Sequence, residues 1–417
     1  MKVAFDVTAL VIYYFTGVQR YVVELLAEYK RVPEVESLKL FYNSVKFPNF
    51  SDLNFRELSQ AGLPKPTKIR GPLYFDQKNF GEKYPPFLAK NASLSVSAYN
   101  RFVRSQAVLG YLRGRYRKFF KETQLVHFPY HCAPEQLRQF TGIFPDCPRV
   151  ATIHDIVPVL FPEQFKPLQV KSFTEAIQAT VEGCHGFITA SESSKKDFVR
   201  HFSVPENKMF VIHHAVNPSF YPIPEPKCQK ILETWQLKYK SYFLSLSPED
   251  PRKNVPRILA AYLKFAGGAQ DVPKMVVMGR LKNKKGTVID SYKPFLNDPR
   301  IVFLGEMDSN LVPYLFNGAV ALVFPSLYEG FGLPVLEAMQ SGTPVISSRE
   351  GSLAEIGGDA AYFVDPYQVS SLEEAMRRIF EDKGLCEVLS RKGLEYAGNF
   401  SWEKTASETL DVYRKFI

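Results

Sequence analysis

Short apolar segments alternate with helical patterns along most of the 417 residues, and this alternation restricts the fold more than any other feature. Strands that alternate with helices predict parallel sheets covered by helices on both faces. The predicted strands are residues 3–7, 38–42, 126–128, 150–153, 186–190, 209–212, 242–246, 274–278, 301–304, 319–324, 344–347 and 362–364. The predicted helices are residues 18–30, 169–182, 194–202, 255–266, 311–317, 334–341 and 371–381.

A proline-rich stretch at residues 217–226 divides this alternation into two series. Four of its ten residues are proline, which disfavours both a helix and a central strand, so we interpret it as a linker between domains. A chain of 417 residues is also long enough for two cores. We therefore predict an α/β fold with two doubly wound, Rossmann-like domains, residues 1–220 and 221–399. They face a ligand cleft at the carboxyl ends of their strands.

The second domain contains a glycine-bearing loop that follows a predicted strand and leads directly into a helix. Gly330 and Gly332 allow the backbone to approach a ligand closely, and Pro334 occupies a first-turn position, where a helix tolerates proline. The N–H groups from Phe331 to Leu333 then lie at a helix N-terminus, which attracts anions. The sequence therefore predicts a phosphate site here that needs no metal ion.

Two glutamates frame this loop: Glu329 lies within it, and Glu337 lies about one turn into the helix. A carboxylate accepts hydrogen bonds from two neighbouring hydroxyl groups, as a sugar or a ribose presents them. A single glutamate at such a position is most often an ordinary surface residue of a helix. The pair around a glycine loop, directly after an apolar strand, favours a binding function instead.

The loop and its surroundings resemble the glutamate–seven–glutamate signature of the fourth family of retaining glycosyltransferases, which have the two-domain B-type (GT-B) fold. The resemblance is dense over residues 300–366 and fainter elsewhere. The first loop of this chain and its Thr-Ile-His-Asp segment are most similar to those of bacterial polysaccharide mannosyltransferases. The matching segments are Phe303-Leu-Gly-Glu, Pro325-Ser-Leu-Tyr-Glu-Gly-Phe-Gly-Leu-Pro, Gly342-Thr-Pro-Val, Gly358-Asp-Ala-Ala and Val364-Asp-Pro.

The resemblance implies roles for residues of the second domain. Glu337 is expected to bind the donor ribose, and Glu329 a hydroxyl of the transferred sugar. Arg252 and Lys253 follow a predicted strand, and the phosphate-binding lysine of the family falls on Lys253. Positive side chains at a strand end can neutralise a diphosphate leaving group. Many members carry an arginine where this chain has Ser247, so either Arg252 takes that role or Lys253 acts with the helix dipole alone.

In the first domain, the resemblance singles out Gly17 and His154. Gly17 opens a predicted helix and is similar to the glycine-rich first loop of the family, which lies against the donor phosphates and the acceptor. His154 follows a predicted strand and is expected to contact the sugar or to assist the reaction centre. Residues 400–417 are similar to the last helix of the family, which crosses back onto the N-terminal domain.

Together these resemblances imply a retaining, metal-independent hexosyltransferase with a nucleotide diphosphate sugar as its donor and no cofactor. GDP-mannose is the leading donor, and a glycan or lipid-linked acceptor in polysaccharide or lipopolysaccharide biosynthesis is expected. The chain has no Asp-X-Asp motif, which chelates the metal ion in the other large glycosyltransferase fold. Two alternatives stay open at this point: an epimerase or hydrolase of nucleotide sugars with the same fold, and a non-catalytic relative that binds a glycan or nucleotide.

The net charge of +9 favours anionic partners without choosing among them. A stretch that begins at Arg101 and ends at Lys121 carries seven Lys or Arg and no Asp or Glu, mixed with apolar residues. It fits contact with an anionic membrane surface, and it equally fits a helical insertion with a solvated basic face. The sequence contains no recognised nucleic-acid-binding module, so we expect no nucleic acid partner.

The cysteines and the apolar segments indicate a compartment. The five cysteines are far apart and odd in number, which predicts free thiols in a reducing environment. No apolar run of about 18 residues exists, and the N-terminus is predicted to be a strand rather than a signal peptide. We therefore expect a cytoplasmic protein, peripheral on the inner face of a membrane if residues 101–121 bind lipid.

Overall fold

The fold contains two parallel β-sheets. The structure is a computed structural model, and it describes residues 1–6, 17–43, 67–69, 120–132, 134, 137, 140–141, 144–267, 271–281 and 289–417. The strands of the first sheet are β1 (Lys2–Asp6), β2 (Ser37–Asn43), β3 (Thr67–Ile69), β4 (Leu125–Phe128), β5 (Arg149–Thr152), β6 (Gly186–Thr189) and β7 (Met209–Val211). All neighbouring strands are parallel, in the order β3-β2-β1-β4-β5-β6-β7.

The second sheet repeats this winding. Its strands are β8 (Tyr242–Leu246), β9 (Lys274–Met278), β10 (Ile301–Gly305), β11 (Ala321–Phe324), β12 (Val345–Ser347) and β13 (Ala361–Phe363). All neighbours are parallel, in the order β10-β9-β8-β11-β12-β13. In each sheet the winding reverses beside the first strand, between β1 and β4 and between β8 and β11. Ligands of doubly wound sheets bind outside the carboxyl ends of the strands at this switch point.

Helices connect the strands and cover the sheets. Their bounds in the described residues are α1 (Gly17–Tyr29), α2 (Val157–Leu160), α3 (Pro167–Gly183), α4 (Glu192–Phe202), α5 (Glu225–Leu232), α6 (Val255–Gly267), α7 (Val312–Gly318), α8 (Leu333–Gln340), α9 (Leu353–Gly357), α10 (Val369–Glu381), α11 (Lys383–Ala397) and α12 (Trp402–Arg414). Each predicted strand and helix coincides with one of these elements, and no bound differs by more than two residues. The predicted α/β fold class is therefore confirmed.

Each sheet has a hydrophobic core on both faces, as the doubly wound prediction requires. Along β1, Val3 and Phe5 pack into one core and Ala4 packs into the other. Along β8, Leu244 packs into one core of the second domain and Phe243 packs into the other. Because successive side chains of a strand point to opposite faces, a strand buried on both faces has to be apolar throughout. This is why these strands read as continuous apolar runs in the sequence.

The proline-rich stretch differs from its prediction, because its last two residues are helical. Helix α5 begins at Glu225, so Pro226 lies in its first turn, where the missing N–H group has no intrahelical acceptor to lose. The preceding residues pack on the second domain: Phe220 and Ile223 are buried in its core, and the Ile223 N–H donates to the side chain of Asn317 at 2.7 Å. The domain boundary at residue 220 stays a prediction.

The last helix, α12, belongs structurally to the first domain although it ends the chain. Trp402, Leu410 and Tyr413 are buried in the same core as residues of β1 and α1. The Tyr29 hydroxyl donates a hydrogen bond of 2.8 Å to the Tyr413 hydroxyl. The chain therefore crosses from the second domain back to the first between α11 and α12.

The basic stretch of residues 101–121 lies outside the described residues except for its last two. Its predicted contact with a membrane surface is therefore not addressed by the fold. Within the ranges that the structure describes, no helix is long and apolar enough to cross a membrane.

Substitution of Leu410 tests the docking of α12. Leu410→Ala should destabilise the first domain by about 2–5 kcal/mol, because it leaves a cavity in a closed core. Only two tryptophans occur in the chain, so a Trp235→Phe background leaves Trp402 as the reporter of this core. The expected result is a lower urea midpoint of Trp402 fluorescence, with Ser407→Ala on the exposed side of α12 as the control. Equal midpoints for the two variants would contradict the docking.

Candidate active site

The loop after β8 presents two cations at the switch point of the second sheet. Arg252 and Lys253 lie in a short 3₁₀ turn that Asp250 caps by accepting a hydrogen bond from the Arg252 N–H. The guanidinium of Arg252 also donates to Asp250, at 2.6 Å from its Nη2 atom. Desolvation lowers the pKa of Arg252, but Asp250 and the carboxylates of Glu329 and Asp155 raise it by more. Arg252 therefore stays charged and is paired with a carboxylate of its own loop, a partner that was not predicted from the sequence.

Lys253 joins this loop to the glycine loop that follows β11. Its ammonium group forms an ion pair with Glu329, and the two side chains are only 13% and 11% exposed. The same ammonium lies 4.9 Å from the centre of the Phe324 ring, where β11 ends. Charges this shielded from water need a partner, and here the partner is the carboxylate that the sequence assigned to the sugar. The structure thus brings two predicted site residues together, although they are 76 positions apart.

The glycine loop turns into α8 as the sequence predicts. Gly332 precedes the helix with a φ of 99°, a left-handed conformation that favours glycine, and Pro334 occupies the first turn. Among the described residues, none accepts a hydrogen bond from the N–H groups of Phe331, Gly332 and Leu333. Together with the helix dipole, these N–H groups can receive an anion at the end of the sheet.

Gly330 packs against the first domain. A Cβ atom at this position would lie 2.8 Å from the carbonyl oxygen of His154 and 2.8 Å from the Cβ atom of Asp155. The Gly330 carbonyl accepts hydrogen bonds from the buried hydroxyls of Ser191 at 2.7 Å and Ser194 at 3.0 Å. Ser191 is also the N-cap of α4, since it accepts a hydrogen bond from the Ser194 N–H. The start of α4 therefore holds the glycine loop in place across the cleft.

Two further contacts surround this docking point. The Tyr328 hydroxyl donates to Asp197 of α4 at 2.6 Å. Glu355 of α9 accepts a hydrogen bond of 3.0 Å from the Glu192 N–H at the first turn of α4, and it lies 2.7 Å from Nε2 of His213. A carboxylate at a helix N-terminus is stabilised by the helix dipole. The N-terminus of α4 thus receives a carbonyl and a carboxylate from the second domain.

Glu337 lies on α8, half-buried beneath the glycine loop. Within the described part of the chain, its carboxylate has no hydrogen bond or ion pair. Burial raises the pKa of this carboxyl to about 7, although Arg20 of α1 lowers it. A carboxyl group that lacks a protein partner and faces a cation of the opposite domain is suited to a polar ligand.

Gly17 is the first residue of α1, which follows β1 at the switch point of the first sheet. Residues 7–16, which precede it, lie outside the described residues. Its helix carries Arg20, the residue that lowers the pKa of Glu337. The N-terminal part of α1 therefore lies near enough to α8 for the charge of Arg20 to act on Glu337, and the role of Gly17 stays a prediction.

His154 follows β5 and is held by hydrogen bonds on both ring nitrogens. Its Nε2 lies 2.9 Å from the carbonyl oxygen of Pro129, and its Nδ1 lies 3.2 Å from Nε2 of His214. Burial lowers the pKa of His154, an effect that the Pro129 carbonyl and Asp155 only partly offset. The ring is therefore neutral near pH 7, and the backbone carbonyl of the same residue lies against Gly330.

The structure thus brings two sets of predicted residues together: Lys253 with Glu329, and Gly330 with the backbone of His154. Glu329 and Lys253 pair with one another, and Arg252 pairs with Asp250. No group of three or more His, Cys, Asp or Glu in the described ranges is arranged to hold a metal ion. The assigned roles and metal independence stay predictions.

Sequence reasoning missed several residues of the cleft. Ser191, Asp197 and His214 come from the first domain, and Tyr328 and Glu355 come from the second. A serine three positions before Ser194 is a helix-start signal that could have indicated Ser191. The others meet their partners only through the tertiary fold.

Comparison with known proteins confirms the resemblance drawn from the sequence. Residues 76–220 match the family model described as Glycosyltransferase Family 4, and residues 233–396 match the one described as Glycosyl transferases group 1. The crystal structure of Anabaena Alr3699/HepE in complex with UDP and glucose has a TM-score of 0.70 at 15% identity, and the match covers 100% of both chains. At that identity the similarity shows the fold alone, which is the two-domain B-type fold.

Two curated relatives are mannosyltransferases of Escherichia coli. O-antigen chain mannosyltransferase B is 26% identical over 414 residues, which cover 99% of this chain and 100% of that protein. Serotype-specific mannosyltransferase WbdA is 26% identical over 277 residues, which cover 64% of this chain but only 33% of that protein. The chain therefore matches the first relative along the whole length of both proteins, and it spans about a third of the length of the second relative.

Substitution of Gly330 tests the docking of the glycine loop. Gly330→Ala should separate the loop from the first domain, because the added methyl group overlaps the backbone of His154. Small-angle X-ray scattering should then give a larger radius of gyration than for the wild type. Gly267→Ala is the matched control, since an added Cβ atom there meets nothing within 4 Å. An unchanged scattering curve for Gly330→Ala would refute the interdomain contact.

Glu337 should make stability fall as the pH rises. Its folded pKa is raised, so the folded protein keeps this proton while the unfolded chain loses it between pH 4.5 and about 7. Relative to the wild type, Glu337→Gln should gain about 1–3 kcal/mol of unfolding free energy across this range and then level off. Urea unfolding in a Trp402→Phe background, read from Trp235, measures it. The exposed Glu403→Gln is the control, and a pH-independent difference for Glu337→Gln would contradict the raised pKa.

Proposed function

The chain belongs to the group 1 and family 4 glycosyltransferases, and from this premise we propose that it transfers mannose from GDP-mannose to a glycan or lipid-linked acceptor. The similarity to O-antigen chain mannosyltransferase B along the whole chain supports mannose and a polysaccharide product. The observation that carries the chemistry is the Lys253–Glu329 pair beside the N–H groups at the start of α8. It combines a cation, a carboxylate and a helix N-terminus at one switch point.

In this proposal, the diphosphate of the donor lies between Lys253 and the N–H groups of Phe331, Gly332 and Leu333. The bound phosphate competes with Glu329 for Lys253, which frees Glu329 to accept hydrogen bonds from the sugar hydroxyls. Glu337 binds the two ribose hydroxyls. Arg252 keeps its ion pair with Asp250 in this proposal, so Lys253 and the helix N-terminus supply most of the stabilisation of the leaving group.

The proposed reaction breaks the bond between the anomeric carbon and the diphosphate while the acceptor hydroxyl attacks from the same face. The acceptor's proton passes to a phosphate oxygen of the leaving group. Two features support this route over a general base. The ring of His154 already uses both nitrogens within the first domain, and Lys253 with the helix N-terminus can stabilise the diphosphate without a metal ion. The anomeric configuration is then retained.

The acceptor lies mainly on the first domain in this proposal. Docking of α4 onto the glycine loop closes the cleft between the domains and excludes water, which protects the donor from hydrolysis. The cytoplasmic location and the contact of residues 101–121 with anionic lipid stay predictions. Sedimentation with anionic vesicles at low salt tests the latter, and a protein that stays in the supernatant would contradict it.

Turnover of labelled donors with mannose-terminated oligosaccharides tests the function. GDP-mannose should be consumed in preference to UDP-glucose, in excess EDTA as well as without it. Lys253→Ala should lower kcat about 10²–10³-fold, as for loss of a preorganised charge-stabilising group. Lys264→Ala, an exposed lysine of α6, is the matched control.

Three outcomes would contradict the proposal. Loss of turnover in EDTA that magnesium or manganese restores would exclude metal independence. Consumption of GDP-mannose without any acceptor would favour the hydrolase or epimerase alternative. Proton NMR of the first product should show an α-linkage from the α-linked donor, and a β-linkage would overturn the proposed route.

A further inference from the structure

The ring of His154 has one defined tautomer, because a carbonyl group can only accept a hydrogen bond. Its Nε2 lies 2.9 Å from the carbonyl oxygen of Pro129, so Nε2 carries the proton of the neutral ring. Its Nδ1 is then a lone-pair acceptor. Among the described residues, the only polar atom within hydrogen-bond distance of this nitrogen is Nε2 of His214, at 3.2 Å. His214 is therefore the donor of this hydrogen bond.

His214 lies between the residues of both domains that meet at the cleft. Its ring contacts Phe331 of the glycine loop edge-to-face, with 5.2 Å between the ring centres. Tyr21 of α1 and Trp402 of α12 pack on its other sides, at 4.7 Å and 6.2 Å between ring centres. One side chain thus contacts the predicted catalytic histidine and the loop whose N–H groups face the donor site.

A purely structural role does not explain a histidine here. His214 is only 5% exposed, and its Nδ1 has no hydrogen-bond partner among the described residues. An unpaired buried acceptor destabilises a fold, and an apolar ring of similar shape would avoid that cost. The hydrogen bond that His214 donates to His154 is the interaction that an apolar ring would lose.

We propose that His214 is a positioning residue of the transferase reaction: its hydrogen bond to Nδ1 fixes the orientation of the His154 ring, whose tautomer the Pro129 carbonyl sets, and aligns that ring with the glycine loop through Phe331. This inference rests on the proposed function. Docking of Phe331 against His214 restricts the His214 ring, and the ring in turn holds His154 toward Pro129. The position of the glycine loop and the orientation of the His154 ring are thereby coupled through the side chain of His214.

Two substitutions separate the hydrogen bond from the packing. His214→Phe keeps an aromatic ring against Phe331 and Trp402 but removes the donor, so kcat should fall about 10–100-fold, the scale of a misplaced catalytic group. The KM for the donor should stay within about threefold, and Tm within about 4 °C. In His214→Gln the amide nitrogen can replace Nε2, so kcat should stay within about threefold of the wild type. His201→Gln, at an exposed position of α4, is the control.

Nitrogen NMR of the histidine rings gives a readout that does not depend on turnover. In the wild type and in His214→Gln, His154 should be neutral with its proton on Nε2. In His214→Phe its resonances should shift or broaden as the ring loses its fixed orientation. A proton on Nδ1 of His154 in the wild type, or unaltered His154 resonances in His214→Phe, would overturn the proposal. So would a full kcat in His214→Phe or a kcat in His214→Gln as low as in His214→Phe. If the wild type does not use GDP-mannose, the proposed function fails and the NMR result still decides whether His214 positions His154.

Discussion

The carbonyl oxygen of Gly330 lies at the centre of the contacts between the two domains. It accepts hydrogen bonds from Ser191 and Ser194, and the absence of a side chain lets the loop lie against the backbone of His154. The placement of the second domain's loop relative to the first domain depends on this contact, because the same loop carries Glu329 on one side and the start of α8 on the other. A glycine predicted only to let the backbone approach a ligand therefore also allows close contact between the domains.

The charges of the site follow from the need to pair cations that are shielded from water. Lys253 pairs with Glu329, and Arg252 pairs with Asp250, so neither cation is left uncompensated. In the proposed function, the donor diphosphate therefore has to exchange partners with Glu329 rather than fill an empty positive site. The exchange links phosphate binding to the release of a carboxylate for the sugar, which makes recognition of the two parts of a donor interdependent.

Most of the fold could be predicted from the sequence because its strands are buried on both faces. The strands β8 and β9 are predicted with their observed bounds, since both are apolar runs between polar turns. The strand Thr67–Ile69 was missed, because a segment of three residues that includes a lysine is too short and too polar to form an apolar run. Helix α5 was missed because Pro226 was interpreted as a helix breaker, whereas a proline in the first turn disrupts no hydrogen bond.

The candidate site could be predicted only as far as its parts are local. The glycine loop and the cations of the loop after β8 are continuous in sequence, and the pairing of Arg252 with Asp250, two positions away, could have been foreseen. The partners of Lys253 and His154 lie 76 and 60 positions away, and no pattern in either segment indicates the other. A motif therefore identifies which residues reach a cleft, whereas the fold decides which of them share a proton or a charge. For this site, the physical units are the pairs Lys253–Glu329 and His154–His214, because in each pair one side chain supplies a polar partner that the other lacks in its own segment of the chain.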